Sequence, residues 1–241
     1  MNSWLLSAYP RDIVGAVPRV SHTGSTAIES VARHWTRDGE RPLVSVIVMN
    51  WNGLAYLPEY LDSLAAQAYV AIEVIVVENG STDGSLEYLR GQRKGWIRLV
   101  ESPSNLGFAG GNNLGIRASK GTYLALLNND AVADPHGVEA LVAAAEADPG
   151  VGMCASKIYV WSRPGLLDGA GLLVSGDGIG RGRGRLEPDG ERYEREADVL
   201  LPSACAALYR RPMLDEIGLF DEDFFAYCED TDLGLRARIA G

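Results

Sequence analysis

Three short acidic stretches and one glycine-rich stretch carry the side chains that could do chemistry. The first closes the apolar run TYLALLNND at residues 122–130, which stops at Asn128, Asn129 and Asp130. A run of that length is too short for a helix and predicts a strand buried on both faces of a parallel sheet. Ligands of open α/β sheets collect beyond the carboxyl ends of the strands, so these three residues would face a bound molecule. One carboxylate among amide oxygens suits a hard divalent cation that it shares with substrate phosphates. The same residues equally suit a plain turn into the next helix. The second stretch, ENGSTDGS, holds Glu78, Asn79 and Asp83. A carboxylate there can accept from a base N–H or a ribose hydroxyl, while Asp83 or Ser81 can also cap the following helix. The third holds Glu229, Asp230 and Asp232; it offers a general base, or simply acids favoured by a helix dipole.

The glycine-rich stretch NLGFAGGNN includes Asn105, Gly107 and Asn112. It would let backbone approach a ligand closely, with phosphate at the positive end of a following helix, or it makes a tight turn. It is neither a Walker loop nor a GxGxxG dinucleotide loop.

These residues need elements to hold them. Residues 43–49, LVSVIVM, predict a strand emptying into Asn50, Trp51, Asn52 and Gly53. Leu57, Leu61, Leu64 and Ala68 then fall at helical spacing. Residues 72–77 predict a second strand, 86–93 a helix, 96–101 a third strand, 122–130 the fourth strand with its polar end, and 136–148 a helix. Strand, loop and helix repeated four times is the pattern of βαβ units, which puts the functional loops on one edge. Residues 151–158 predict another strand. Residues 165–190, rich in Gly and Arg, predict an irregular excursion or mobile flap over the site. Short strands follow at 198–201 and 206–209, and Asp230 starts a helix with Leu233, Leu235 and Ala237 facing inward. Before all this, residues 1–41 are an appendage with a short helix at 26–37.

The chain has 241 residues, enough for a full core, and a net charge of −10. That charge, with no basic stripe, argues against nucleic acid as a partner. Three scattered cysteines fit a reducing compartment, not a disulfide framework or a zinc site. No run is long enough to span a bilayer, and the start lacks a signal peptide's basic flank and apolar core. The expectation is a cytoplasmic protein, soluble or attached peripherally to a membrane.

The ordered motifs VSVIVMNWNG, EVIVVENGSTDGS, NLGFAGGNNLGI, GTYLALLNNDA and GLFDEDFFAYCEDTDLGLRAR resemble the family 2 glycosyltransferases, especially their rhamnosyltransferase-like branch. The resemblance covers residues 42–241. It implies an α/β fold of the GT-A (nucleotide-diphospho-sugar transferase) type, with a mostly parallel central sheet and helices on both faces. A nucleotide-sugar-binding half would span 42–135 and an acceptor-binding, base-bearing half 136–241. It also implies inverting transfer from a UDP- or dTDP-sugar to a saccharide or lipid-linked saccharide, assisted by Mg²⁺ or Mn²⁺, in cell-surface polysaccharide synthesis at the inner face of the membrane. By motif, Asn50, Asn52, Glu78, Asn79, Asp83, Asn105, Gly107, Asn112 and Asn129 fall on nucleotide-sugar-binding positions. Asp130 and Asn128 fall on the metal motif, whose first acid is here an Asn. Asp230, with Glu229, falls on the base. Arg236 or Arg238 could clamp phosphate. Relatives continue past the position of Gly241 with a further strand and a metal-site histidine, so this chain is expected to stop short of the full domain. The alternatives are a nucleotide-sugar-binding module without turnover, and a sugar-nucleotide nucleotidyltransferase, whose basic glycine-rich loop is missing after the first strand.

Overall fold

The computed structural model describes residues 16–18, 41–92 and 95–241. The helix expected at 26–37 lies outside the described residues. Two periodicities dominate. In β2 (Val44–Asn50), Val44, Val46 and Val48 enter one core while Ile47 enters another. That alternation is what a strand buried on both faces requires. β3 (Ile72–Asn79), β4 (Ile97–Ser102) and β5 (Tyr123–Leu127) join it in parallel.

The sheet runs β4-β3-β2-β5-β11-β6, with β6 (Met153–Ala155) at one edge and β11 (Ala206–Arg210) antiparallel to both its neighbours. One face packs on α1 (Leu57–Ala65) through Leu57, Tyr60, Leu61 and Leu64, and on α4 (Gly137–Ala147) through Val138, Val142 and Ala145. α2 (Ser85–Gly91) adds Leu89 to this core. The other face takes α3 (Gly107–Ala118), α6 (Arg211–Ile217) and α7 (Glu229–Ala240) through Ala109, Ile116, Leu214 and Leu233. Among the described residues no helix is long and apolar enough to cross a membrane.

Several expectations are corrected. α1 ends at Ala65 and Ala68 is exposed, its amide donating to the Pro135 carbonyl. The single strand expected at 151–158 is two: β6 stays in the main sheet, and after Ser156 the chain enters β7 (Lys157–Val160) of a second sheet. There β7 pairs antiparallel with β1 (Ala16–Pro18) and with β8 (Leu167–Ala170). The excursion expected to be irregular holds β8 and a hairpin of β9 (Leu172–Val174) and β10 (Gly180–Gly182). A short helix, α5 (Glu191–Glu194), follows. Buried Lys157 pins the excursion by donating to both oxygens of Asp189, at 2.9 and 2.8 Å. Residues 198–201 form no strand; Leu201 makes an isolated bridge to Leu172. In α7, Leu233 is buried but Leu235 is exposed, because residues two apart on a helix point to different faces.

Candidate active site

The loops after β2, β3 and β5 are tied to one another by side chains. Asn50 is fully buried at the end of β2, and its Oδ1 accepts from Asn129 Nδ2 at 2.8 Å. A Cβ on Gly53 would sit 2.5 Å from that Asn50 oxygen, so the loop closes only with glycine. Asn52 Oδ1 accepts from the Thr82 amide at 2.8 Å, and the Asn52 amide donates to Ser81 Oγ at 2.9 Å. Glu78, buried at the end of β3, accepts from the amides of Ser81 and Gly80 at 2.9 and 3.2 Å. Asp83 accepts from the Leu54 and Ser85 amides at 2.9 and 3.0 Å. Desolvation pushes its pKa up, but these bonds and the Ser85 hydroxyl outweigh it, and the pKa falls below the usual carboxylate value. Asp83 therefore braces the entry to α2 and the β2 loop together.

The glycine-rich stretch is not a phosphate loop preceding a helix; it is helix α3 itself. Its glycines are packing devices. A Cβ on Gly115 would meet Ile47 Cγ2 at 2.5 Å, so α3 rides directly on the sheet. Asn79 Nδ2 donates to Asn105 Oδ1 and to the Gly107 carbonyl, at 3.0 and 3.1 Å, while its Oδ1 accepts from the Leu106 amide. Asn112 donates to the Phe108 carbonyl of its own helix. Asn113 exchanges bonds with the Phe220 backbone. Asn79, Asn105, Gly107 and Asn112 thus build the wall behind the loops, with their polar groups engaged inside the fold.

The acidic residues converge on the segment before β11. The Asn128 amide donates to the Cys205 carbonyl at 2.9 Å, and the Ala204 amide donates to Asp230 Oδ2 at 3.2 Å. Burial and then the carboxylates of Asp130, Asp168 and Asp230 push the Cys205 thiol far above its ordinary pKa. Asp130 is raised by burial, resisted by its own amide and reinforced by Asp168. Asp230 is raised by burial, resisted by bonds from Ala204 and Thr231. Glu229 is 5% exposed, and its Oε2 has no hydrogen-bond partner among the described residues. Burial, with Asp230 adding to it, pushes Glu229 to about 7. Asp168 of β8, one of four acids in the glycine-rich excursion, belongs to this group. Asp232 does not: it pairs with Arg236 at 2.8 Å.

The two arginines are not phosphate clamps. Arg236 also donates to the carbonyls of Ile217 and Leu219, and Arg238 to those of Leu200 and Val199, so both staple α7 to its neighbours. The β9–β10 hairpin lies against the start of α7, since a Cβ on Gly180 would meet Thr231 Oγ1 at 2.5 Å. The segment entering α7 is strained: Phe225, Tyr227 and Cys228 all have positive φ, at 57°, 74° and 69°.

A mostly parallel sheet with polar loops at its carboxyl edge, and an acidic helix start delivered beside them, is the arrangement of the GT-A fold. Solved structures share it. A Pyrobaculum calidifontis mannosyltransferase in complex with GDP-Man and Mn²⁺ matches with TM-score 0.62 and 21% identity, over 90% of this chain and 61% of that one. Residues 1–349 of S. aureus TarS, in complex with UDP-GlcNAc, match with TM-score 0.58 and 21% identity, over 81% of this chain and 53% of that one. The family description "Glycosyl transferase family 2" matches residues 45–218, and the chain belongs to that family. It is 29% identical over 220 residues to the N-acetylglucosaminyl-diphospho-decaprenol L-rhamnosyltransferase of Mycobacterium tuberculosis, covering 83% of this chain and 71% of that protein. An uncharacterized glycosyltransferase of Haemophilus influenzae is 37% identical over 103 residues, 42% of this chain. The chain spans 32% and 36% of the lengths of the two Haemophilus glycosyltransferases that it matches.

Proposed function

We propose that this fold transfers a sugar from a UDP- or dTDP-sugar donor to a hydroxyl of a saccharide or lipid-linked saccharide, with inversion at the anomeric carbon. The observation that carries the reading is the convergence of half-buried Asp130 and Asp230 on the Cys205 segment, one at a parallel strand's carboxyl end and one at a helix start. Asn50, Asn52, Glu78 and Asp83 frame the donor's nucleoside side. Asn129, bonded to Asn50, links that side to Asp130.

The donor set at Asp130 fits a hard divalent cation. Asp130 is half-buried, and its own amide opposes the upward push of desolvation on its carboxyl pKa. Among the described residues no group of three His, Cys, Asp or Glu is spaced to hold an ion, so the donor's phosphates must supply ligands too. Asp130 and Asn128 would hold Mg²⁺ or Mn²⁺, which supplies charge neutralisation on the leaving diphosphate. The mannosyltransferase complex with GDP-Man and Mn²⁺ supports the use of a divalent metal.

Asp230 takes the proton of the acceptor hydroxyl as that oxygen bonds to the anomeric carbon. The bond from that carbon to the diphosphate breaks on the opposite face, leaving a glycoside and a nucleoside diphosphate. The likeness to the mycobacterial N-acetylglucosaminyl-diphospho-decaprenol L-rhamnosyltransferase supports a lipid-linked acceptor. Transfer at the cytoplasmic face of a membrane, in cell-surface polysaccharide synthesis, completes the proposed reading.

Calorimetric titration with UDP- and dTDP-sugars, with and without Mn²⁺, followed by a sugar-release assay, tests the reading. Metal-dependent binding with slow release supports it. Binding without release, with Mn²⁺ present, identifies instead a nucleotide-binding module without turnover.

A further inference from the structure

The loop that leads into Asp230 presents aromatic side chains to solvent. Phe225 is 52% exposed and Tyr227 65% exposed, and Phe224 is exposed beside them. Large apolar side chains grouped on a surface mark a place where something binds. This group is also held in place. The Phe225 carbonyl accepts from the amides of Phe108, at 2.6 Å, and Ala109, at 3.2 Å, so the loop is fastened to the start of α3. Gly107, at φ 74°, makes room: a Cβ there would lie 2.6 Å from the Phe225 ring. The positive φ of Phe225 and Tyr227 disfavours both bulky residues, and the fold keeps them there. The Tyr227 amide, in turn, bonds the Glu229 carboxylate beside Asp230.

The surroundings select the ligand. Along the chain, Asp221, Glu222 and Asp223 precede the rings and Glu229, Asp230 and Asp232 follow them, with Glu222 paired to Arg117 and Asp232 to Arg236. Such a surface is repelled by an anionic bilayer, where basic residues would be needed. A pyranose instead has a C–H face for an aromatic ring and hydroxyl edges for carboxylates.

We propose that Phe225 and Tyr227 form a stacking platform for a pyranose ring of the acceptor saccharide, holding it so that its hydroxyl reaches Asp230. This rests on the reading of Asp230 as the base. It adds a pair of acceptor-specificity residues fastened to the start of α3.

The test uses the full chain with a short-alkyl N-acetylglucosaminyl diphosphate and a panel of methyl pyranosides as probes. Saturation-transfer NMR, irradiating the aromatic protons, should light the ring C–H protons of a bound saccharide. Tyr227→Ala and Phe225→Ala should weaken saccharide binding by about tenfold, while Tyr227→Phe retains it. Melting temperature should stay unchanged in the alanine variants, because the side chains are exposed.

Unchanged saccharide binding in both alanine variants overturns the proposal, as does equal loss in Tyr227→Phe, or no saccharide bound by the wild type across the panel. Sedimentation with anionic vesicles that the alanine variants abolish would also overturn it, and would make the rings a lipid contact. If the wild type binds saccharide through these rings but neither binds nor hydrolyses donor, the transferase reading fails while the platform stands.

Discussion

Glu229 couples the site to pH. In the unfolded chain it ionises near 4.5, and in the folded chain burial holds its proton until about 7. Between those values the folded state keeps a proton that the unfolded state has released. Stability therefore falls as pH rises through that window and is level above it. Asp230, also raised by burial, adds in the same direction. The loss is on the order of 3 kcal/mol. Urea midpoints at pH 5 and pH 8 check this: the wild type should be weaker at pH 8, and Glu229→Gln should narrow the gap. Asp230→Asn should cut transfer by about 10²–10⁴-fold, with the donor dissociation constant by calorimetry nearly unchanged. Equal loss of both would move Asp230 from base to binding or structure. At this scale the sequence made the chain-end acids legible, because Asp130, Glu78 and Asp230 each close or open an element. Asp168 was not legible: nothing local distinguishes it, and only the pairing of β8 carries it to Asp130.

Helix α3 shows how an element can mislead. Its glycines looked like a loop shaped for phosphate, since glycine disfavours a helix interior by about 1 kcal/mol relative to alanine. Packing overrides that preference, because only a helix without side chains at Gly111 and Gly115 can lie against Met49 and Ile47. Gly115→Ala should destabilise the protein by about 1–3 kcal/mol in urea unfolding, even though alanine is the better helix former. An unchanged or raised midpoint would show that the sheet yields easily. The break at Ser156 was hidden for a related reason. Residues 151–158 have the composition of one strand, and the switch between sheets depends on partners distant in sequence.

For the molecule as a whole, the βαβ order through β5 was readable because each strand ends in a polar loop. The antiparallel entry of β11 between β5 and β6 was not, since it is set by long-range pairing. Net charge acts at this scale too. At −10 the protein repels an anionic nucleotide sugar at long range. Stopped-flow association of the donor with protein preloaded with Mn²⁺ should therefore speed up between 20 and 200 mM salt, roughly the range over which the Debye length shortens past molecular contact distances. A rate that falls with salt would indicate local positive steering instead.

The acids gathered round Cys205 also decide which thiol a reagent can find. A thiol attacks only as thiolate, and Cys205 is held protonated by burial and its three carboxylate neighbours. Burial likewise pushes Cys154 to about 11. Cys228 lies half-buried on the strained approach to Asp230. A disulfide reagent at pH 8 should therefore label Cys228 first, placing a spectroscopic probe at the threshold of the acceptor side without any engineered cysteine.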